Sequence, residues 1–273
     1  MKKLLSIILV LCMLLSSFAL FSCELGGSDD DDDDDEESSS ESELTGNAKL
    51  LSEALTATAE LAGVDATLTL NVSVAVSGMT LTIPVTASIK ANEQAMYMEL
   101  SANVMGESTS MKMYTDGEWM YIVEDGVGYK TPYDEADAEI PEIPESFDDV
   151  VREIPKAILD DIDVKSEESG KTLTLAITES AYPEVYETIK GYLESEGVVA
   201  DADEVEISDI EVELVIAKNG YIKSANTDIS IENVNIEGQD ATISASVSVE
   251  INKVGTAVTV TPIPGCEDFP EVQ

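Results

Sequence analysis

Apolar and polar residues alternate with a period of two along most of the chain beyond Ala66, and that alternation predicts long strands with one buried face. Leu68, Leu70, Val72, Val74 and Val76 interleave with Thr69, Asn71, Ser73 and Ala75. The next apolar sets are Leu81, Ile83, Val85, Ala87 and Ile89, then Met96, Met98 and Leu100, then Met111 and Met113, then the stretch 119–123. Asp116-Gly117, Asp125-Gly126 and Asn219-Gly220 fall between such sets and suit positive φ angles, so successive strands are expected to pair antiparallel. Further strands are predicted at 210–216, 222–231 and 243–251, with a closing strand at 257–260.

The period becomes helical twice. Over 47–62, Leu51, Ala54, Leu55, Ala59 and Ala62 recur at helical spacing, and Gly63 follows as a stop. Between 144 and 197, Phe147, Val150, Val151 and Ile154 share a face and Pro155 restarts the helix. A later helix carries Tyr182, Tyr186, Ile189 and Leu193, and a short strand at 173–177 lies between. The order helix, sheet, helices, sheet over one domain, 47–273, predicts an α+β fold. Strands this long coil strongly, so we expect a single large, strongly curved antiparallel sheet, a half-barrel with helices covering its concave face.

Residues 1–22 do not belong to that domain. Lys2-Lys3, an apolar run over 4–21 and the sequence Leu20-Phe21-Ser22-Cys23 have the form of a lipoprotein signal peptide. The mature chain is then expected to begin at a lipidated Cys23, carrying palmitate-like acyl chains that hold the protein at the extracytoplasmic face of the cell membrane. From there to residue 46 the chain is almost entirely Gly, Ser, Asp and Glu, with aspartate at every position of 29–35. Such an acidic linker cannot fold alone, and self-repulsion extends it to as much as about 75 Å. Once Cys12 leaves and Cys23 is acylated, Cys266 is left as a single thiol with no disulfide partner.

Charge narrows the partners. The net charge of −42 leaves no basic surface to release counterions from a phosphate backbone, so no nucleic acid is expected. The chain has no histidine, which removes Ser-His-Asp and Cys-His catalysis and His-ligated zinc. Acids such as Asp134, Glu135, Asp137 and Glu139 read as solvated surface, and Asp201 and Asp203 lack the glycine of a calcium loop. Neither an enzyme activity, a cofactor nor a metal is expected.

Ala95-Met96-Tyr97-Met98-Glu99-Leu100, Met111-Lys112-Met113-Tyr114, Asp116-Gly117-Glu118-Trp119-Met120-Tyr121 and the closing Ile251-Asn252-Lys253-Val254-Gly255-Thr256, followed by Val258-Thr259-Val260, together resemble the LolA-like half-barrel lipoproteins, most closely those of Gram-positive type. The resemblance implies binding of a lipid or other hydrophobic small molecule between curved sheet and helical lid. It departs from the Gram-negative lipoprotein carriers in one respect: their buried latch arginine has no evident counterpart, since Arg152, the single arginine, lies in the helical region.

Beyond the leader, every methionine falls between Met79 and Met120. Met is unbranched and polarizable, which lets one surface fit irregular apolar shapes. Met96, Met98, Met111, Met113, Trp119 and Met120 are therefore the candidate ligand-binding residues, with Tyr97, Tyr114 and Tyr121 as a rim. The same methionines could equally pack an ordinary core, and two Met-x-Met pairs also suit Cu(I) as soft thioether ligands. The expected function is a membrane-anchored, monomeric lipoprotein that binds a hydrophobic ligand. The alternative is a non-catalytic envelope scaffold or sensor with a filled core.

Overall fold

The structure, a computed structural model, describes residues 44–133, 147–195, 199, 205–236 and 239–272. The expected leader, Cys23 and the acidic linker as far as residue 43 lie outside them, as do Asp134, Glu135, Asp137, Glu139, Asp201 and Asp203.

Helix α1 (Gly46–Ala59) opens the fold and a run of six strands follows: β1 (Gly63–Val76), β2 (Met79–Asn92), β3 (Met96–Val104), β4 (Glu107–Thr115), β5 (Trp119–Glu124) and β6 (Val127–Pro132). Two short helices, α2 (Asp148–Glu153) and α3 (Lys156–Asp160), lead to β7 (Asp163–Glu167) and β8 (Gly170–Ile177). Then come α4 (Pro183–Ser195), the two-residue β9 (Glu206–Ile207), β10 (Ile210–Ala217), β11 (Ile222–Ile236) and β12 (Gln239–Val254). All strands join one antiparallel sheet in the order β6-β5-β4-β3-β2-β1-β12-β11-β10-β8-β7, with β9 beside β11. The sheet is not closed; it is a half-barrel.

Turn chemistry sets the register of the first half. Ser77-Gly78, Met105-Gly106 and Asp125-Gly126 each place two residues at positive φ between paired strand ends, the geometry that matches the right-handed twist of a two-residue hairpin. Between β4 and β5, Asp116 Oδ1 accepts from the backbone N–H of Glu118 at 3.0 Å and of Trp119 at 2.9 Å. Burial pushes the Asp116 carboxyl up, but those N–H groups outweigh it and hold the pKa below the usual value.

Helices α1 to α4 pack on one face of the sheet, the concave one. Tyr182, just before α4, and Tyr186, Ile189 and Leu193 of α4 meet Leu70, Val72 and Val74 of β1 and Ile231, Ile243 and Ala245 of β11 and β12. Beside them, Leu51 of α1 packs with Val151 and Leu159, and Ala54 with Leu173 and Ile216. Leu51, Ala54 and Leu55 of the predicted stripe thus face inward, whereas Ala59, where the helix ends, and Ala62 beyond it are exposed. Polar groups fix the helix in place: Asn47 Nδ2 donates to Leu159 O at 2.9 Å, and Thr58 Oγ1 accepts from Ile222 N at 2.8 Å. Tyr182, 3% exposed, donates its hydroxyl proton to Asp161 Oδ2 at 2.6 Å.

That hydrogen bond, with burial second, pushes the Tyr182 pKa up to about 12. Tyrosine in the unfolded chain ionises near pH ~10, so between there and about 12 the unfolded state loses a proton that folded Tyr182 keeps. The stability this contributes is complete below pH ~10 and lost as pH rises through about 12. Denaturant titrations at stepped pH are expected to show a steeper alkaline loss for the wild type than for Tyr182→Phe; equal slopes would refute the assignment.

The predicted closing strand at 257–260 does not form. Gly255 turns the chain out of β12 with φ 80°, its N–H donating to Gly63 O at 2.8 Å, and the segment runs over the convex face instead. The reason is topological: β12 lies between β1 and β11, so both of its edges are already paired. Ile263, Cys266 and Phe269 cover Tyr97, Tyr114, Tyr121 and Trp119, with the Tyr114 and Tyr121 rings stacked at 5.7 Å. Phe269 lies flat on Gly128, where an added Cβ would come within 2.5 Å of the ring. At the far end Lys130 bonds in parallel with Glu271, its N–H donating to Pro270 O and its C=O accepting from Val272 N, both at 2.9 Å. The C-terminal segment thereby ties the centre of the sheet to edge strand β6.

Candidate functional site

Side chains directly opposite in an antiparallel pair project from the same face, at a spacing of about 5 Å. Following the register outward from β1, Ala66 pairs with Ile89, Ile89 with Met98, Met98 with Met113, Met113 with Ile122 and Ile122 with Tyr129. A parallel row runs Leu68, Ala87, Leu100 and Met111, and a third Ala91, Met96, Thr115 and Met120. Leu68 and Leu70 of β1 belong to the core beneath α4, so these rows lie on the concave face.

Five of the six candidate residues are therefore brought together: Met96, Met98, Met111, Met113 and Met120 share one face across three strands, all half-buried. Trp119 is not with them. It immediately precedes Met120 on β5 and points to the convex face, packing in the cluster under the C-terminal segment with Lys130 Nζ 5.3 Å above its ring. Tyr97, Tyr114 and Tyr121 are on that convex face too. The expected rim is instead the centre of a second small core, and the alternation of odd and even positions along β3 to β5 already carried the signal.

The two halves of the concave face differ in packing. Beneath the helices Tyr186, Leu193, Val72 and Val151 are fully buried, and that half is filled. The clusters that join helix to sheet contain no residue of β3 to β6. Ile89, Met98, Leu100, Met111, Met113 and Ile122 make a half-buried apolar surface about 14 Å across, counting strand spacings from β2 to β5. Within the helix-covered half, on β11, Thr227 pairs with Val212 and Val247, and its buried Oγ1 has no hydrogen-bond partner among the described residues.

A polar groove of about 320 Å³ lies elsewhere, on the convex side, lined by Ser73, Ser230, Ser244, Asp209, Glu211 and Asp228 among others. Its carboxylates make it unsuited to an apolar guest, since covering them would strip the water from three charged groups. Cys266 is buried among the convex aromatics, and that burial, then Glu267, pushes its thiol pKa up, away from the reactive thiolate. Among the described residues no three His, Cys, Asp or Glu side chains converge as a metal site, and no helix is long and apolar enough to cross a membrane.

No curated protein matches the chain in sequence. Similar solved structures include the Mycobacterium tuberculosis lipoprotein LppX, at 11% identity and TM-score 0.34, covering 79% of this chain and 98% of that one. LprF from Mycobacterium bovis is 10% identical with TM-score 0.34, over 79% and 96%. A LolA superfamily protein from Nitrosomonas europaea is 9% identical with TM-score 0.23, over 80% and 96%. The sequence itself is matched over residues 46–262, from the first turn of α1 to beyond the end of β12, by the model of a family of unknown function, DUF6612, and the chain belongs to that family.

Proposed function

We propose that this protein is a membrane-tethered, extracytoplasmic binding protein that takes a lipid or another apolar molecule onto the Met-rich half of its concave face and performs no chemistry on it. One observation carries the reading: the ladder Ile89, Met98, Met113, Ile122, with Leu100 and Met111 beside it, continues the core face of the sheet but lies outside the clusters that the helices fill. Covering apolar surface stabilises a complex by about 25 cal/mol per Å², and flexible thioethers adapt to chains of irregular shape. The filled half beneath α4 favours a second reading, a scaffold or sensor that uses its outer surface.

Native mass spectrometry of the protein freed of detergent, followed by organic extraction, separates the two. A co-purifying apolar molecule is expected. It should fall at least about tenfold in Met98→Glu/Met113→Glu with the far-ultraviolet circular dichroism unchanged, since a charge opposite an acyl chain costs more than 1.4 kcal/mol. An apo mass that stays unchanged after incubation with lipid vesicles would leave the scaffold as the better account.

The anchor in this proposal is Cys23. Two acyl chains at about 0.8 kcal/mol per buried methylene make attachment effectively permanent. Peptide mass analysis of membrane-extracted protein is expected to give a mature N-terminus at Cys23 carrying a diacylglyceryl group; an unmodified Cys23 would sink this part.

A further inference from the structure

We propose that the Met-rich face is a methionine-oxidation site through which two-electron oxidants, peroxides or hypochlorous acid, switch off uptake of the apolar ligand; this rests on the binding reading above. Five thioethers on three adjacent strands occupy one face: Met98 directly opposite Met113, Met96 and Met111 two residues along each strand, and Met120 opposite Thr115. Apart from Met79, at the end of β2, and Met105, in the β3–β4 turn, they are all the methionines of the chain beyond the leader. An ordinary core would draw on leucine, isoleucine and valine as the other half of this sheet does. Here sulfur replaces branched carbon where the face is half-buried and within reach of small oxidants.

In the reaction a sulfur lone pair attacks the terminal oxygen of hydrogen peroxide, the O–O bond breaks, and that oxygen stays on sulfur as the sulfoxide while water leaves. Sulfur is oxidised by two electrons and the peroxide is reduced by two. The product is polar and requires a hydrogen-bond donor; the neighbours of Met98, Met111 and Met113 across the strands include Ile89, Leu100 and Ile122, whose side chains offer none, while Thr115, opposite Met96 and Met120, brings a hydroxyl to the row. Oxidation converts an apolar platform into one that retains water. Sulfoxide reductases return it to the thioether, so the change is reversible in kind.

Met79 and Met105, 75% and 84% exposed, serve as internal references. The full chain in lipid nanodiscs is titrated with hydrogen peroxide, sulfoxide at each methionine is read by peptide mass spectrometry, and N-phenyl-1-naphthylamine fluorescence is measured above matched empty nanodiscs. Met98 and Met113 are expected to oxidise within about tenfold of the rate at Met105, and probe affinity to fall at least about tenfold as they do. In Met96→Leu/Met98→Leu/Met111→Leu/Met113→Leu/Met120→Leu the affinities before and after peroxide are expected to agree within about twofold, because leucine takes up no oxygen. Site methionines that stay reduced after Met79 and Met105 are fully oxidised would overturn the proposal, as would oxidised protein that binds probe like the reduced form. A reduced, folded protein that takes up no probe at all fails the binding reading itself, which makes the two failures distinguishable.

Discussion

Gly170→Ala is expected to destabilise the protein by about 3–5 kcal/mol and to strip β7 and β8 from the sheet edge. Gly170 opens β8 with φ 151°, a backbone conformation that side chains rarely adopt, and pairs with Ala217 at the end of β10. An added Cβ would fall 1.9 Å from Ile216 O and 3.0 Å from its carbonyl carbon. That obstacle is backbone, held by the β10–β11 pairing, so no rotamer change relieves it. Relief comes only by separating Gly170 from Ala217, which releases Leu173 from its place beside Ala54 and Ile216. Denaturant unfolding is the measurement, with hydrogen exchange to locate the loss. Alanine at 170 with wild-type stability and full protection in β8 would refute the close approach.

Tyr186→Ala should cost about 4 kcal/mol, and Tyr186→Phe about 1–2 kcal/mol. Among the described residues Tyr186 is the largest fully buried side chain, and it stands in the core between α4 and the sheet. Its hydroxyl donates to Ile177 O at 2.7 Å and lies 3.1 Å from Ser208 O, which ties the end of β8 to the turn before β10. Alanine removes the ring from a close-packed site and leaves those carbonyls without the donor; phenylalanine removes the donor alone. The difference between the two variants therefore isolates packing from hydrogen bonding. Should Phe prove as costly as Ala, the polar tie rather than the ring would be what holds α4 in place.

Much of this architecture is legible along the chain. A period of two has a physical meaning only if one face of a strand is buried, so Leu68 to Val76 and Ile83 to Ile89 announced both their strands and their inward faces. The parity of the candidate site is legible as well. A two-residue turn at Met105-Gly106 fixes Met98 opposite Met113, and the odd-even order of Trp119 and Met120 puts them on opposite faces. Grouping Trp119 with the methionines ignored that parity. The segment 257–260 alternates as a strand does, yet whether a strand forms depends on a free edge, and none remains beside β12.

Apart from the segment 257–260, the sequence by itself determined the types of the main elements, the antiparallel pairing and which side chains share a face, because those follow from local periodicity and turn geometry. Only the tertiary structure decided where the helices sit along the concave face: α1 to α4 cover β1, β8 and β10 to β12 and leave the Met-bearing strands outside their clusters. It also decided that Ile263, Cys266 and Phe269 return over the convex tyrosines. Burial is a relation between surfaces far apart in the chain, and an apolar residue reads the same in sequence whether a helix, a tail or a ligand covers it.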